Sequence, residues 1–340
     1  MKKKVFIVPN NDAEAIRIQK LIKENNQDGN YEIIITGQDW GASWEQLEPE
    51  IKAQLEKIDN TQYEVYGIEL KGNPQNQEYH TIDHHKYYDS DVPTAIGEKT
   101  SIEQMAEILG VELSVFDRMI AANDVGYIPK MIKMATQLNL SEEEKAKIIE
   151  EIDRLEGMGK VPSIIGKPRN SLETIEGIEE LAKQIKDKNK TVAQNAIDSG
   201  YVYDDRLIWI DLEDFNCQRE VTNLLYQMGK YRDMSYNNII VSSIDKGNNR
   251  RLVYFGDREL IDKLSEQFSD VPIKWTGGEP EAGFFGLQIS NEPENSDKSV
   301  KEFKEKSNRM RYFLEEEILG YHRIVTQEDI ISSEETPKYR

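Results

Sequence analysis

Short apolar runs alternate with amphipathic segments along the first hundred residues. Three runs have the length and β-branched content of buried strands, and a fourth, shorter run ends at Thr81-Ile82. The three longer strands are predicted over residues 4–9, 31–36 and 62–70. Helical periodicity separates them, first up to about Asn25 and then from Trp44 to Ile58. This strand–helix alternation predicts a parallel sheet with crossover helices.

The middle of the chain is dominated by the helical period and by charge. One helix is predicted from Thr100 to Leu109, with a Thr-Ser N-cap, and another from Leu113 to Asn123, before an Asn-Asp-Val-Gly turn. Residues 130–200 are predicted to be helical, apart from a Gly- and Pro-containing loop from Gly157 to Asn170. We interpret this block as a linker and cover whose charged faces are solvated.

A second α/β pattern begins near residue 206. Its predicted strands cover residues 207–211, 238–243 and 252–255, and its predicted helices cover residues 219–228 and 259–268. A Gly-rich segment follows the run Ile273-Lys274-Trp275. Gly277, Gly278, Glu279 and Gly283 are candidate substrate contacts, because glycines let a phosphate or sugar approach backbone N–H groups. A structural turn between strands is an equally good interpretation.

The whole pattern predicts an α/β protein with an N-terminal parallel-sheet metal-binding domain, a helical linker and a smaller C-terminal α/β domain. The predicted boundaries are residues 1–128 for the first domain, 129–200 for the linker, 201–290 for the C-terminal substrate-binding domain and 291–340 for a helical extension. A length of 340 residues suits one large domain or two of ordinary size.

Acidic residues dominate the charge of the chain. There are 63 acidic and 43 basic residues, for a formal net charge of −20. Such a charge disfavours non-specific binding to long duplex nucleic acid, because the phosphates would be repelled. A small phosphorylated or single-stranded substrate stays open, since a metal ion supplies positive charge locally. Solubility alone also explains the acidic excess.

Cysteine content and hydropathy indicate the compartment. The single cysteine, Cys217, excludes an internal disulfide framework and a Cys-rich zinc site, so a reducing cytoplasm is expected. No run approaches the roughly 18 apolar residues that would indicate a membrane span, and no membrane partner is expected. The apolar run after Lys2-Lys3-Lys4 is short and ends at Asn10, which favours a first strand over a signal peptide.

The stretch Tyr79–Lys86 contains three of the four histidines. Its Asp-His-His directly follows a predicted strand, at the kind of sheet edge where ligand sites of open α/β folds gather. Several other acids occupy predicted strand ends or turns. The candidate metal ligands are Asp12, Glu14, Glu69, Asp83, His84 and Asp124. Carboxylate and imidazole ligands suit Mn²⁺, Mg²⁺ or Zn²⁺.

This set of candidate ligands suits one ion or two. Two ions about 4 Å apart would activate a water and stabilise the leaving oxygen of a phosphoester, with Glu69 or Asp83 as the bridging carboxylate. Asp83 is also a candidate catalytic residue. His85 would lie near the scissile phosphate or support a ligand, and Lys86 would neutralise a phosphate oxygen. Simpler interpretations exist for two residues: Asp12 suits a helix N-cap, and Lys86 suits a plain surface lysine.

Asp12-Ala13-Glu14, Glu69, Asp83-His84-His85 and Asp124, in this order and spacing, resemble the four motifs of the DHH phosphoesterase superfamily. The resemblance covers most of the chain. It implies a hydrolase dependent on Mn²⁺, with Mg²⁺ as the other option, that acts on a nucleotide or a short single-stranded nucleic acid. It also implies a metal domain, a helical linker and a smaller substrate domain. The segment Gly277–Gly283 resembles a variant of the family's Gly-Gly-Gly-His loop, which contacts substrate.

Several positions depart from the family pattern. Val8 stands where the first motif has histidine, Glu14 and Glu69 stand where the family has aspartate, and Glu279 or Pro280 replaces the histidine of the C-terminal loop. Glutamate keeps the charge and can still ligate, whereas loss of the first histidine removes a ligand. The hypotheses are therefore a phosphoesterase, a catalytically degenerate nucleotide-binding or regulatory protein, or a structural protein. The oligomeric state stays open, with a dimer as one option.

Overall fold

The computed structural model describes residues 2–38, 41–72, 74, 76, 78–84, 99–212, 217–227, 238–244, 248–279, 282–290 and 296–320. The strands are β1 (Lys3–Val8), β2 (Tyr31–Ile35), β3 (Tyr63–Ile68), β4 (His80–Ile82), β5 (Tyr201–Tyr203), β6 (Leu207–Leu212), β7 (Asn238–Ile244), β8 (Arg250–Gly256), β9 (Lys274–Glu279) and β10 (Ala282–Ile289). The helices are α1 (Ala13–Glu24), α2 (Pro49–Leu55), α3 (Ser101–Leu109), α4 (Val115–Gln137), α5 (Glu142–Ile164), α6 (Ile178–Asp198), α7 (Gln218–Gln227), α8 (Arg258–Gln267) and α9 (Ser296–Leu319), and a 3₁₀ helix covers Arg169–Thr174. None of the described helices combines the length and the apolar character that crossing a bilayer requires.

The chain divides into two units, Met1–Asp187 and Lys188–Arg340. The first unit contains a four-stranded sheet in the order β2-β1-β3-β4, and every pair in it is parallel. The predicted parallel sheet is thereby confirmed, together with its short fourth strand. Because the strands run in one direction, their carboxyl ends all lie at the same edge of the sheet.

An apolar core supports this sheet. It consists of Val5, Ile7, Ile34, Ala42, Trp44, Leu47, Ile51, Leu55, Val65 and Leu70. Trp44 is buried in it and donates a hydrogen bond from its Nε1 to Thr81 Oγ1 at 3.1 Å, which fixes β4 to the core. Helix α1 packs against α3, α4 and α5. Because α1 also contacts β2, these helices form a layer packed against the sheet.

Two helical predictions are wrong in their extent. The helix expected from Trp44 to Ile58 covers only Pro49–Leu55, because a proline suits the first helical position and begins the helix there. The loop expected over Gly157–Asn170 is helical as far as Ile164, with Pro162 inside α5. Gly159 lies where α5 packs closely against Asn11, in the turn between β1 and α1. Such tertiary packing overrides the low helical propensity of glycine and proline.

The second unit contains a mixed six-stranded sheet in the order β5-β6-β7-β8-β10-β9. Strands β6 and β7 are parallel, and the other pairs are antiparallel. Apolar clusters cover both faces: Tyr254 and Phe285 belong to the cluster with α8 and α9, and Ile210 and Val241 to the cluster with α6 and α7. The second predicted α/β pattern is therefore correct.

Most of the Gly-rich segment lies in two paired strands, which agrees with its structural interpretation as a connection between strands. Gly277–Glu279 lie at the end of β9, and Gly278 pairs with Gly283 of β10. A glycine in a strand often marks a close approach. At Gly286 a Cβ atom would lie 2.2 Å from the Trp275 ring, so a larger residue there would displace the indole. The contact of this segment with substrate stays a prediction.

A buried ion pair joins α1 to the start of α4. Arg17 Nε donates to Asp117 Oδ1 at 2.6 Å, and the two side chains are 12% and 2% exposed. Asp117 also accepts hydrogen bonds from the backbone N–H and the hydroxyl of Ser114, which caps α4. Burial raises the pKa of the Asp117 carboxyl, but the hydrogen bonds from Arg17 and Ser114 outweigh burial and hold the pKa below its usual value.

Replacement of Arg17 by Met should lower the free energy of unfolding by about 3 kcal/mol near neutral pH, because Asp117 would remain buried without its cation. Since folding lowers the pKa of Asp117, the contribution of the pair is complete above about pH 5 and is lost as the pH falls through the lowered pKa. The difference between wild type and Arg17→Met in urea denaturation should therefore shrink on acidification.

Lys23→Met is a matched control for this prediction. Lys23 pairs with Glu173, and both side chains are about half exposed, so the loss should stay below about 1 kcal/mol. Equal losses in Arg17→Met and Lys23→Met would contradict the prediction.

Candidate metal centre

Three side chains of the first unit converge at the carboxyl edge of its sheet. Glu69 directly follows β3, His84 comes shortly after β4, and Asp124 lies in α4. One ligand atom from each lies within 4.8 Å of the other two. His84 Nε2 and Asp124 Oδ2 are 2.8 Å apart, and their side chains are only 8% and 10% exposed. Three predicted metal ligands, far apart in the sequence, are thus close together in the structure.

The pairing of β3 with β4 positions two of these ligands. Ile68 lies opposite Ile82 in the parallel register, and the Glu69 N–H donates to the Ile82 carbonyl at 2.8 Å. Residues that follow two adjacent parallel strands emerge side by side. Glu69 and His84 therefore meet because their strands are neighbours.

The backbone is strained close to two of the ligands. Glu69 has a φ of +50°, in the left-handed region that residues other than glycine rarely adopt. Helix α4 has a kink just after Asp124, where Gly126 and Tyr127 leave helical geometry and Tyr127 has φ +50° and ψ −148°. The predicted turn at this point is a break inside a longer helix. Such strain persists only where the surrounding structure imposes it, and it is concentrated at functional sites.

Glu14 adds a further carboxyl group to this region. It lies in the first turn of α1, is buried, and accepts a hydrogen bond at Oε1 from the Ile102 N–H at 3.0 Å. Burial raises the pKa of Glu14 well above its usual value, and the carboxylates of Asp124 and Glu69 raise it further. A divalent cation would relieve this repulsion. The carboxylate and imidazole donors present fit Mn²⁺ or Mg²⁺.

Asp12 and Asp83 are buried in the same unit but are not among the three residues whose ligand atoms meet. Asp12 Oδ1 accepts from the Ala15 N–H at 2.8 Å and caps α1, as the simpler interpretation of this residue expected. The backbone carbonyl of Asp83 accepts from Gln104 Nε2 at 3.1 Å. Metal ligation by Asp12 and Asp83 stays a prediction.

Val8, His85 and Lys86 are the remaining positions for which the sequence suggested a role or a departure from the family pattern. Val8 is completely buried, and its apolar side chain offers no ligand where the resembled family has histidine. His85 and Lys86 lie outside the residues that the structure describes, so their catalytic roles stay predictions. The three converging ligands, with Glu14 beside them, suit one ion, and a second ion would need Asp12 and Asp83.

A buried arginine holds the turn between β1 and α1. Arg169 donates to the carbonyl oxygens of Asn10 and Gly159, and its own carbonyl accepts from Asn10 Nδ2 at 3.2 Å. Helix α5 approaches closely here: a Cβ at Gly159 would lie 3.2 Å from the Asn11 carbonyl oxygen. Sequence reasoning missed this clamp, because an arginine after a proline in a charged block gives no local sign of burial.

A second contact joins α5 to the helix that carries the candidate ligand Asp124. Asn123, which precedes Asp124, donates from Nδ2 to Glu156 Oε1 at 3.2 Å, and both residues are buried. Glu156 belongs to the block expected to be a linker without chemistry. That block is therefore part of the first unit up to Asp187, and it supports the residues around the candidate ligands.

The chain is similar to several solved structures. A pGpG-specific phosphodiesterase, PggH, from Vibrio cholerae has 14% identity and a TM-score of 0.39, with 92% of this chain and 98% of that chain covered. The DHH domain of a member of the S1p family of ribosomal proteins has 10% identity and a TM-score of 0.49, with 90% and 86% covered. RecJ from Thermus thermophilus, in complex with Mg²⁺, has 10% identity and a TM-score of 0.43, with 92% of this chain but only 50% of RecJ covered.

One of the three is a DHH domain, which is the kind of domain that this sequence resembles. No protein-family model matches the chain, and no curated protein matches it either. At such low identities and TM-scores the neighbours carry no information about the reaction.

Metal binding should release a proton from Glu14, because its raised pKa favours the protonated form and a bound cation favours the carboxylate. Mn²⁺ affinity should consequently fall as the pH is lowered. Calorimetric titration in two buffers with different ionisation enthalpies measures the number of protons released. Glu14→Gln should release fewer protons, whereas Glu112→Gln, at an exposed position, should match wild type. Identical proton release in all three proteins would contradict the role of Glu14.

Arg169→Met should lower both the melting temperature and the Mn²⁺ affinity, because it frees the turn that carries Asp12 and leads to Glu14. Arg154→Met removes ion pairs of a partly exposed arginine on α5, and it should leave the affinity unchanged. Thermal unfolding and calorimetry on the two variants test this prediction. A normal Mn²⁺ affinity in Arg169→Met would refute it.

Proposed function

We propose that this protein is a metal-dependent hydrolase that cleaves phosphodiester or phosphoanhydride bonds of a small nucleotide, a short oligonucleotide or a single-stranded nucleic acid. The convergence of Glu69, His84 and Asp124 within 4.8 Å is the observation that supports it. Carboxylates and an imidazole meeting at a buried sheet edge are typical of a divalent-metal site. Mn²⁺ is the proposed ion, with Mg²⁺ as the alternative.

The chain's own residues have distinct tasks in this proposal. Glu69, His84 and Asp124 would hold the ion, and Glu14 would complete the set of donors as a carboxylate. The contact between His84 Nε2 and Asp124 Oδ2 keeps the imidazole and the carboxylate side by side, so that both would face the same ion. A bound ion supplies an activated water and neutralises charge on the phosphoryl oxygens.

The remaining candidates extend the proposal to the substrate. Asp12 and Asp83 are proposed as further ligands, and His85 and Lys86 as groups beside the phosphate. The net charge of −20 favours the small end of the substrate range, because a long polyanion would be repelled. The β9–β10 hairpin, with Gly277, Gly278, Glu279 and Gly283, is proposed to contact substrate through its backbone.

A nucleotide-binding protein without turnover is the second candidate function. It is favoured by Val8, which is fully buried at the position of the family's first histidine and cannot ligate. Such a protein would bind nucleotide in the absence of metal and would leave it intact.

Hydrolysis should be measured with pyrophosphate, linear and cyclic dinucleotides including pGpG, and short single-stranded RNA and DNA, each with Mn²⁺ or Mg²⁺. His84→Ala and Asp124→Asn should lower the rate by about 100-fold or more, because even indirect partners of a metal can cost that factor. Chelation of the metal should abolish turnover.

His80→Ala is the matched control for these variants. His80 is exposed on β4, stacks against Tyr66 and is not among the converging ligands, so its replacement should leave the rate unchanged. Equal rates in wild type, His84→Ala and Asp124→Asn with every substrate would refute the enzyme. Metal-independent nucleotide binding without turnover would instead support the second candidate.

A further inference from the structure

The first turn of α3 donates hydrogen bonds to two acids of the metal centre. Ser101 is completely buried, and its Oγ donates to Glu69 Oε1 at 3.0 Å. The backbone N–H of the next residue, Ile102, donates to Glu14 Oε1 at the same distance. Two adjacent residues of one helix therefore hold two carboxyl groups that come from different elements, α1 and the end of β3.

Two other donors of this turn have partners within the turn itself. Thr100 Oγ1 accepts from the Glu103 N–H, and the Glu103 carboxylate accepts from the Thr100 N–H, which forms a capping box. The Ser101 hydroxyl and the Ile102 N–H are thus left for the glutamates. The capping box provides a way to perturb this turn without touching an acid of the centre.

The same turn also contacts the segment that carries the Asp-His-His motif. Gln104 Nε2 donates to the Asp83 carbonyl oxygen at 3.1 Å and to the Lys99 carbonyl oxygen at 2.8 Å. The start of α3 is therefore bonded to the residues around three of the predicted ligand positions.

Each hydrogen bond occupies only one oxygen of its carboxyl group. In both glutamates the bonded atom is Oε1, so neither of these two hydrogen bonds uses Oε2. Oε2 of Glu14 is buried and receives no hydrogen bond from the residues that the structure describes. A carboxylate with one oxygen fixed and the other available is pre-oriented for a metal ion.

We propose that Ser101 is a positioning residue of the metal centre, which fixes Glu69 while the adjacent Ile102 N–H fixes Glu14. This inference rests on the proposed function, since it requires a bound ion. It also gives a reason for glutamate at the two positions where the resembled family has aspartate. A side chain shorter by one carbon–carbon bond, about 1.5 Å, would withdraw the carboxylate from donors that now lie 3.0 Å away.

Ser101→Ala should weaken Mn²⁺ binding by about tenfold in calorimetric titration of the full chain, because Glu69 loses the group that orients it. Thr100→Ala disrupts the capping box of the same turn, and it should lower the urea midpoint while changing the affinity less than about twofold. In a Glu69→Asp background, where the contact is already lost, Ser101→Ala should have no further effect on affinity.

Ser101→Cys introduces a somewhat larger side chain that is only a weak donor, and it repeats the test if Ser101→Ala does not fold. The positioning role would be overturned if Ser101→Ala and Thr100→Ala lost equal affinity for Mn²⁺. It would also be overturned if Ser101→Ala lost as much affinity in the Glu69→Asp background as in the wild-type background. The proposed function would survive that result, since wild type would still bind Mn²⁺. Failure of the wild-type chain to bind Mn²⁺ or Mg²⁺ would overturn both.

Discussion

The burial of several carboxyl groups in one small region is the constraint on which the first unit depends. Glu14, Glu69 and Asp124 lose their water shell together, and buried charge costs several kcal/mol per group unless it is compensated. The start of α3 donates to two of the three, and His84 lies against the third. Strain at Glu69 is tolerated because this arrangement fixes the backbone there. A divalent cation would supply the charge that is still lacking.

Support for the centre comes from a part of the chain whose composition indicates only solvated helices. Helix α5 and the 3₁₀ helix after it provide Glu156 and Arg169, which are buried and hydrogen-bonded to Asn123 and Asn10. These contacts fix the turn before α1 and the residue before Asp124. A metal centre needs such indirect partners as much as its ligands, because a misplaced donor loses affinity for the ion.

Glycines have a structural task in the second unit. The Gly-rich segment continues the sheet as the β9–β10 hairpin, and at Gly286 the lack of a side chain makes room for the Trp275 ring. A strand of this kind presents little side-chain bulk beside its backbone, which suits either close packing or the approach of a ligand. For Gly286 the structure identifies packing as the reason.

The hydrophobic pattern predicted the parallel sheet, and three of the candidate ligands named from the sequence converge in the structure. The spacing of apolar residues is a local property, so buried strands can be predicted from it. Polar residues that directly follow parallel strands emerge at the same edge of the sheet, and Glu69 and His84 could be predicted for that reason. The extent of α5, the kink after Asp124 and the roles of Ser101 and Arg169 depend on contacts between distant segments. Arg169 and Asn10 are 159 residues apart, and their hydrogen bonds depend on the packing of α5 against α1. No local pattern encodes such contacts, because they exist only when distant segments are brought together.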